Sequence, residues 1–194
     1  YHRVNDFKRL SGCKVLVIGN NLKKPLGKEE CEKILRFVQE GGNALVLEQN
    51  KYPLMFFDTF GRRMEKVSSE IVKIQYPKHP ILKDIEQNDL AFLGNGTIGE
   101  DASMIINNGI VKPYMGNLRI ILDFASRDFY AHGVRWAALL ESLYGKGSVI
   151  FCQLNTGKYP YDNPACMKLL KNMLNYALRN GQSKHESKNH PVAV

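Results

Sequence analysis

Lys14 to Gly19, K-V-L-V-I-G, is an uninterrupted apolar run closed by glycine and followed by Asn20-Asn21. An apolar run without polar alternation is the pattern of a strand buried on both faces, and it predicts a parallel sheet. Cys31, Ile34, Leu35 and Val38 then recur at helical spacing, with Glu29 and Glu30 near the start and Gly41-Gly42 just beyond the last turn. Acidic residues favour the positive end of a helix and glycine its exit, so the spacing predicts about three to four helical turns. Asn43 to Glu48, N-A-L-V-L-E, predicts a second buried strand. The opening therefore reads as a β-α-β unit, whose crossover should be right-handed.

The middle of the chain is less regular. Lys51 to Phe60 is rich in aromatics, Glu70 to Gln75 alternates enough for a short strand, and Tyr76-Pro77-Lys78-His79-Pro80 is framed by prolines. Together they predict an excursion over the sheet edge. Asn117 to Asp123 returns as a strand, and Trp136 to Leu143, Tyr144-Gly145-Lys146-Gly147 and Ser148 to Leu154 predict a hairpin of two apolar strands. Near the end, Asn163 stands where a helix cap belongs and Pro164 at the first helical position. Behind them Cys166, Leu169, Leu170, Met173, Leu174 and Ala177 share one apolar face, up to Asn180-Gly181. Residues 1–181 thus read as one α/β domain and 182–194 as a polar tail with nothing to bury.

Composition narrows the function classes. A chain of 194 residues, 44% hydrophobic and 24% charged, holds one substantial core. No apolar stretch approaches the roughly 20 residues of a membrane span, and the N-terminal run has no apolar signal-peptide core, so no membrane association is expected. The first residue is Tyr1 rather than methionine, which is expected of a chain that begins inside a longer polypeptide. The net charge of +8 arises from 27 Lys+Arg against 19 Asp+Glu. It is spread along the chain, with no run longer than Lys23-Lys24 and Arg62-Arg63. That dispersion argues for a solvated basic surface and against nucleic-acid binding. Cys13, Cys31, Cys152 and Cys166 lie far apart, without the short spacing of zinc or redox sites. Cys31, Cys152 and Cys166 read as small buried hydrophobes.

Little of the sequence points to catalysis. No cysteine sits between the glycines of a strand-to-helix elbow, and no G-x-S-x-G is present. Gly94-Asn95-Gly96-Thr97-Ile98-Gly99 has the G-x-G-x-x-G spacing, yet it follows no clear strand and runs into Glu100-Asp101, which would repel a pyrophosphate. No cofactor is expected. His79, between Lys78 and Pro80, reads as a turn residue rather than a base. Glu48, Asp123, Asp128 and Glu141 stand at or near the ends of predicted strands, where ligands of open α/β sheets bind. The candidate ligand-binding set is Asn20, Asn21, Glu48, Gln49, Asn95, Glu141 and Tyr159, with Tyr159, Tyr161 or Trp136 able to stack on a sugar ring.

Several segments together resemble a known superfamily. They are K-V-L-V-I-G at 14–19, Phe37 to Gln49, His79-Pro80-Ile81-Leu82, Leu140-Glu141 to Gly145-Lys146-Gly147 with Cys152-Gln153-Leu154, and Asn163-Pro164-Ala165 before Leu169-Leu170. In this combination the chain resembles the class I glutamine amidotransferase-like domains. More narrowly, it is similar to those appended to bacterial glycoside hydrolases of family 2, to the trimerisation domains of family 42, and to the trehalose-utilisation-like proteins. The resemblance implies a three-layer, flavodoxin-like α/β/α sandwich with a mostly parallel sheet and a C-terminal hairpin. It also implies an accessory role in a carbohydrate-active enzyme. The partners would be the catalytic domain of the parent chain, a second copy or a carbohydrate, in an exported bacterial protein. The superfamily's elbow cysteine and His-x-Glu pair match no position here, so no catalytic residue carries over. Family members have a further strand and helix before the first strand, where this chain has only about 13 residues. One sheet edge is therefore expected to be uncovered.

Overall fold

The computed structural model describes residues 10, 12–24, 26–52, 59, 63–91, 93, 104–112, 116–125, 134–157 and 163–180. Among these residues eight strands form one mixed sheet: β1 Val15–Ile18, β2 Asn43–Val46, β3 Met64–Ser69, β4 Lys73–Ile74, β5 Ile106–Val111, β6 Leu118–Phe124, β7 Trp136–Tyr144 and β8 Gly147–Cys152. The helices are α1 Lys28–Gln39, the single turn α2 Gln87–Leu90, and α3 Pro164–Asn180, with 3₁₀ turns at Pro80–Leu82 and Asn155–Gly157.

Local signals set the helix ends. The Glu30 carboxylate accepts the Gly27 N–H at 2.6 Å at the start of α1. At its end Gly42 N–H bonds to Phe37 O and Gly41 N–H to Val38 O, the paired bonds of a Schellman cap, with Gly41 at φ +118°. Asn163 Oδ1 caps α3 by accepting the N–H groups of Ala165 and Cys166 at 2.9 and 3.1 Å.

The sheet is mixed rather than the expected mostly parallel one. β1–β2 and β2–β8 pair in parallel, whereas β3–β5, β4–β6, β5–β7, β6–β7 and β7–β8 are antiparallel. The apolar runs misled because burial on both faces removes polar alternation whatever the strand direction. β7 is buried from Trp136 through Ser142 and runs antiparallel to every neighbour. This long strand also changes partner. β6 lines one flank, while the other pairs with β8 over Leu139–Tyr144 and with β5 at Trp136 and Ala137. The sheet therefore forks at β7, and β5 carries β3 on the branch.

Alternate residues of the shared strands feed two apolar clusters. Leu45, Ile150 and Cys152 pack with Cys166, Leu169, Met173 and Ala177 of α3. Leu16, Ile18, Ala44, Val46, Val149 and Phe151 pack with Cys31, Ile34, Leu35 and Val38 of α1. One helix thus covers each face of this part of the sheet. The buried Asn43 couples the layers: Nδ2 donates to Ala177 O at 2.8 Å, and Oδ1 accepts from Ser148 N and Oγ at 3.1 and 2.9 Å. The expected 145–147 turn also fits against α1, where Lys146 N–H bonds to Gln39 O at 3.0 Å. A Cβ at Gly147 would fall on the carbonyl oxygens of Gly42 and Val38, so the approach requires glycine.

Candidate functional site at the strand carboxyl ends

Because β1, β2 and β8 run the same way, Gly19–Asn21, Leu47–Asn50 and Gln153–Thr156 leave the sheet on one side. Asn21, in the left-handed region at φ +42°, donates its N–H to Glu48 O at 2.7 Å. Asn20 stands half-buried on the same turn. Gln49 ties the three exits together. Its Nε2 donates to Gly19 O at 2.6 Å and Leu47 O at 2.9 Å, its Oε1 accepts from Leu22 N, and its N–H donates to Gln153 Oε1. Gln153 Nε2 donates to Tyr52 OH and to Met64 Sδ. Burial raises the Tyr52 phenol far above its ordinary pKa, so that hydroxyl stays protonated.

Beside this crosslink lies a looser set of amides. Asn107 Nδ2 is shared between Glu48 Oε1 and Asn155 Oδ1, both at 3.4 Å, and Asn108 Nδ2 donates to Asn50 Oδ1 at 3.2 Å. Asn155 Nδ2 is anchored to Met104 O at 2.6 Å. At the end of β6, buried Asp123 faces Lys112 Nζ at 2.6 Å and Gln75 Nε2 at 2.9 Å.

Of the residues singled out in the sequence, Asn20, Asn21, Glu48 and Gln49 sit together at this end of the sheet, while Asn95, Tyr159, Tyr161 and Asp128 lie outside the described residues. Glu141 does not belong to this end. It lies within the body of the sheet, level with Ile150 of β8 and Leu45 of β2, on a strand that runs against β8. There Glu141 is fully buried, its Oε2 3.0 Å from Tyr176 OH, 3.6 Å from Arg119 and 3.7 Å from His79 Nε2. His79 Nδ1 accepts the Ile81 N–H, which leaves Nε2 as the ring nitrogen facing the carboxylate. His79 is indeed a turn residue, and the turn brackets α3 through Asn172 Nδ2, which donates to Ile81 O and Lys83 O. Trp136 is buried rather than a stacking platform, its Nε1 donating to Glu65 Oε2 at 2.9 Å.

Sequence reasoning missed Gln153, Asn155, Asn107 and Asn108. Gln153 follows β8 directly and Asn155 comes two residues later, so the rule that selected Glu48 would have found them. Asn107 and Asn108 sit in β5, I-N-N-G-I-V, whose polar centre hides the strand.

Cys152, the last residue of β8, faces Thr156 Oγ1 at 3.8 Å. Burial pushes its thiol up to about 11, an effect only partly opposed by hydrogen bonds from Leu154 and Thr156. Burial raises Cys166 on α3 to about 11 as well. At neutral pH both are thiols, the unreactive form.

No protein-family model matches the sequence, and no curated protein matches it. Solved structures do. The N-terminal domain of mmIFT52 is 11% identical over 90% of this chain and 81% of that one, with a TM-score of 0.56. A ThuA-like protein from Bacteroides uniformis is 14% identical over 94% and 75%, with a TM-score of 0.50. A β-galactosidase from Rahnella sp. R3 is 13% identical over 84% of this chain but only 22% of its own, with a TM-score of 0.47. The structural neighbours thus include a ThuA-like protein and part of a glycoside hydrolase, and the likeness is one of α/β fold.

Proposed function

We propose that the chain is a non-catalytic accessory domain of a carbohydrate-active enzyme, a flavodoxin-like three-layer unit that packs against or helps oligomerise a glycoside hydrolase. The observation that carries this reading is the state of the strand carboxyl ends. Gln49 and Gln153, the polar side chains best placed for a ligand, are buried and committed to crosslinking β1, β2 and β8. The thiol nearest to them is buried and protonated. The carbohydrate context is supported by the resemblance carried by Leu140-Glu141, Gly145-Lys146-Gly147, Cys152-Gln153-Leu154 and Asn163-Pro164-Ala165.

A second reading, a carbohydrate-binding module, is favoured by the amides beside that crosslink. Asn50 is exposed, Asn107 is half-buried, and the long 3.4 Å contacts of Asn107 leave its hydrogen-bonding capacity underused. Uncharged donors and acceptors next to one carboxylate suit a neutral polyol. Calorimetric titration with mono- and oligosaccharides, with light scattering for mass, separates the two. The accessory role predicts no heat with any sugar, with a monomer mass if the domain docks onto a catalytic domain and a larger one if it oligomerises. Saturable heat abolished by Asn107→Ala would establish the binding module instead, and turnover of a chromogenic glycoside would overturn both readings.

A further inference from the structure

The α3 helix carries more apolar surface than the core uses. At 100° per residue, Cys166, Leu169, Met173, Tyr176 and Ala177 form the buried stripe, and Asn172 beside Tyr176 faces the 79–84 turn. Met167, Leu170, Leu174 and Leu178 fall within about 80° of one another on the opposite flank. That flank faces away from the 79–84 turn, toward the β1 side of the sheet. Leu170 and Leu174 are partly buried, while Met167 and Leu178 are 37% and 47% exposed. Val15 packs from β1 into the same cluster, and Val17, two residues on and on the same face, is 44% exposed. An apolar strip therefore runs along the β1 edge on the α3 side, whereas Leu16 and Ile18 on the α1 side are buried.

Among the described residues the edge is open to pairing, because β1 pairs with β2 alone. Lys14 and Ile18 give their carbonyls to Asn43 and Leu47, so the N–H and C=O groups of Val15 and Val17 point outward. V-L-V-I has no charge, proline or bulge to deter another strand; only its shortness does. On the α3 side the charge has one sign: Lys14, Lys23, Lys24 and Lys171 are exposed, and neither residues 12–24 nor α3 contains an Asp or Glu, the acids Glu29, Glu30 and Glu32 belonging to α1 on the other face.

We infer that this edge receives an extended segment of another polypeptide, apolar at alternate positions facing α3 and flanked by carboxylates, which adds a strand beside β1. A second copy is the wrong occupant, because two-fold pairing of this edge would set lysine rim against lysine rim. The inference deepens the docking role proposed above and rests on that role, independently of any sugar chemistry.

Amide exchange of the labelled full chain tests it, with a synthetic peptide of alternating valine and threonine flanked by aspartates, and the same peptide flanked by lysines, each at millimolar concentration. The aspartate peptide should slow exchange at Val15 and Val17 at least tenfold while Leu16 and Ile18 stay as they were, and the lysine peptide should do neither. In the folded surface variant Lys14→Glu/Lys171→Glu the preference should reverse. No slowing by the aspartate peptide, or equal slowing by both, overturns the inference. So does protection of Val15 and Val17 in the chain alone, which means a second copy if it grows with protein concentration and self-coverage if it does not. A sugar that gives saturable heat sinks the accessory role by a separate measurement, so the two failures are distinguishable.

Discussion

Cys152 ends β8, the position from which a strand-end nucleophile would act, and its surroundings keep it from being one. Its thiol is raised from 9.0 to about 11 by burial, and Cys166 likewise. A group whose pKa is higher folded than unfolded contributes stability that is complete below the unfolded value and is lost as pH rises through the folded one. Stability should therefore fall between pH 9 and 11, by up to about 2–3 kcal/mol for the fully buried Cys152. Urea midpoints across that range, compared with those of Cys152→Ala, check it: the variant should lose part of the pH dependence. The exposed Cys13 should react with a thiol reagent well before either. The same contrast between position and environment explains which site residues the sequence could reveal. Glu48 and Gln49 follow an apolar run and need only the direction of β2 to be placed. Glu141 falls in with them only if the reversal that the predicted β7–β8 hairpin imposes on its strand is not followed through.

Elements with local stop signals were readable, and those defined by their neighbours were not. Asn163-Pro164 and Gly41-Gly42 bound α3 and α1 because capping bonds form within a few residues of chain. The β7–β8 hairpin was readable from its turn. β3 and β5 were hidden: M-E-K-V-S-S and I-N-N-G-I-V lack an apolar period, and their pairing with each other depends on the fork at β7. The expected strand over Glu70–Gln75 shrinks to Lys73–Ile74 because Ser69 Oγ bonds to both the N–H and the carbonyl of Ile71, turning the chain first. The 145–147 turn matters beyond the hairpin, since it seats β8 against the exit of α1. Gly147→Ala should therefore cost about 3 kcal/mol or more, because the obstacles are backbone carbonyls that cannot rotate aside. Denaturant unfolding measures the loss. Restoration of stability by a second-site change confined to side chains would contradict the assignment.

At the scale of the whole molecule, the first and last elements complete one another. α3 supplies the inner wall for β2 and β8, and Asn43 at the start of β2 reaches Ala177 O across 134 positions of sequence. A chain stopped before Asn163 should fail to unfold cooperatively, because Leu45, Ile150 and Cys152 would lose the residues they pack against. A flat thermal or denaturant profile is the expected reading, and a sharp two-state transition would contradict it. The Asn43–Ala177 bond also bears on the order of events at the ribosome. Synthesis proceeds from the N-terminus at roughly 5–20 residues per second, so β1, α1 and β2 emerge many seconds before the helix that seals them. The β-α-β opening must wait, half-covered, for most of the chain to be made, and this interval is when a holding chaperone would matter most.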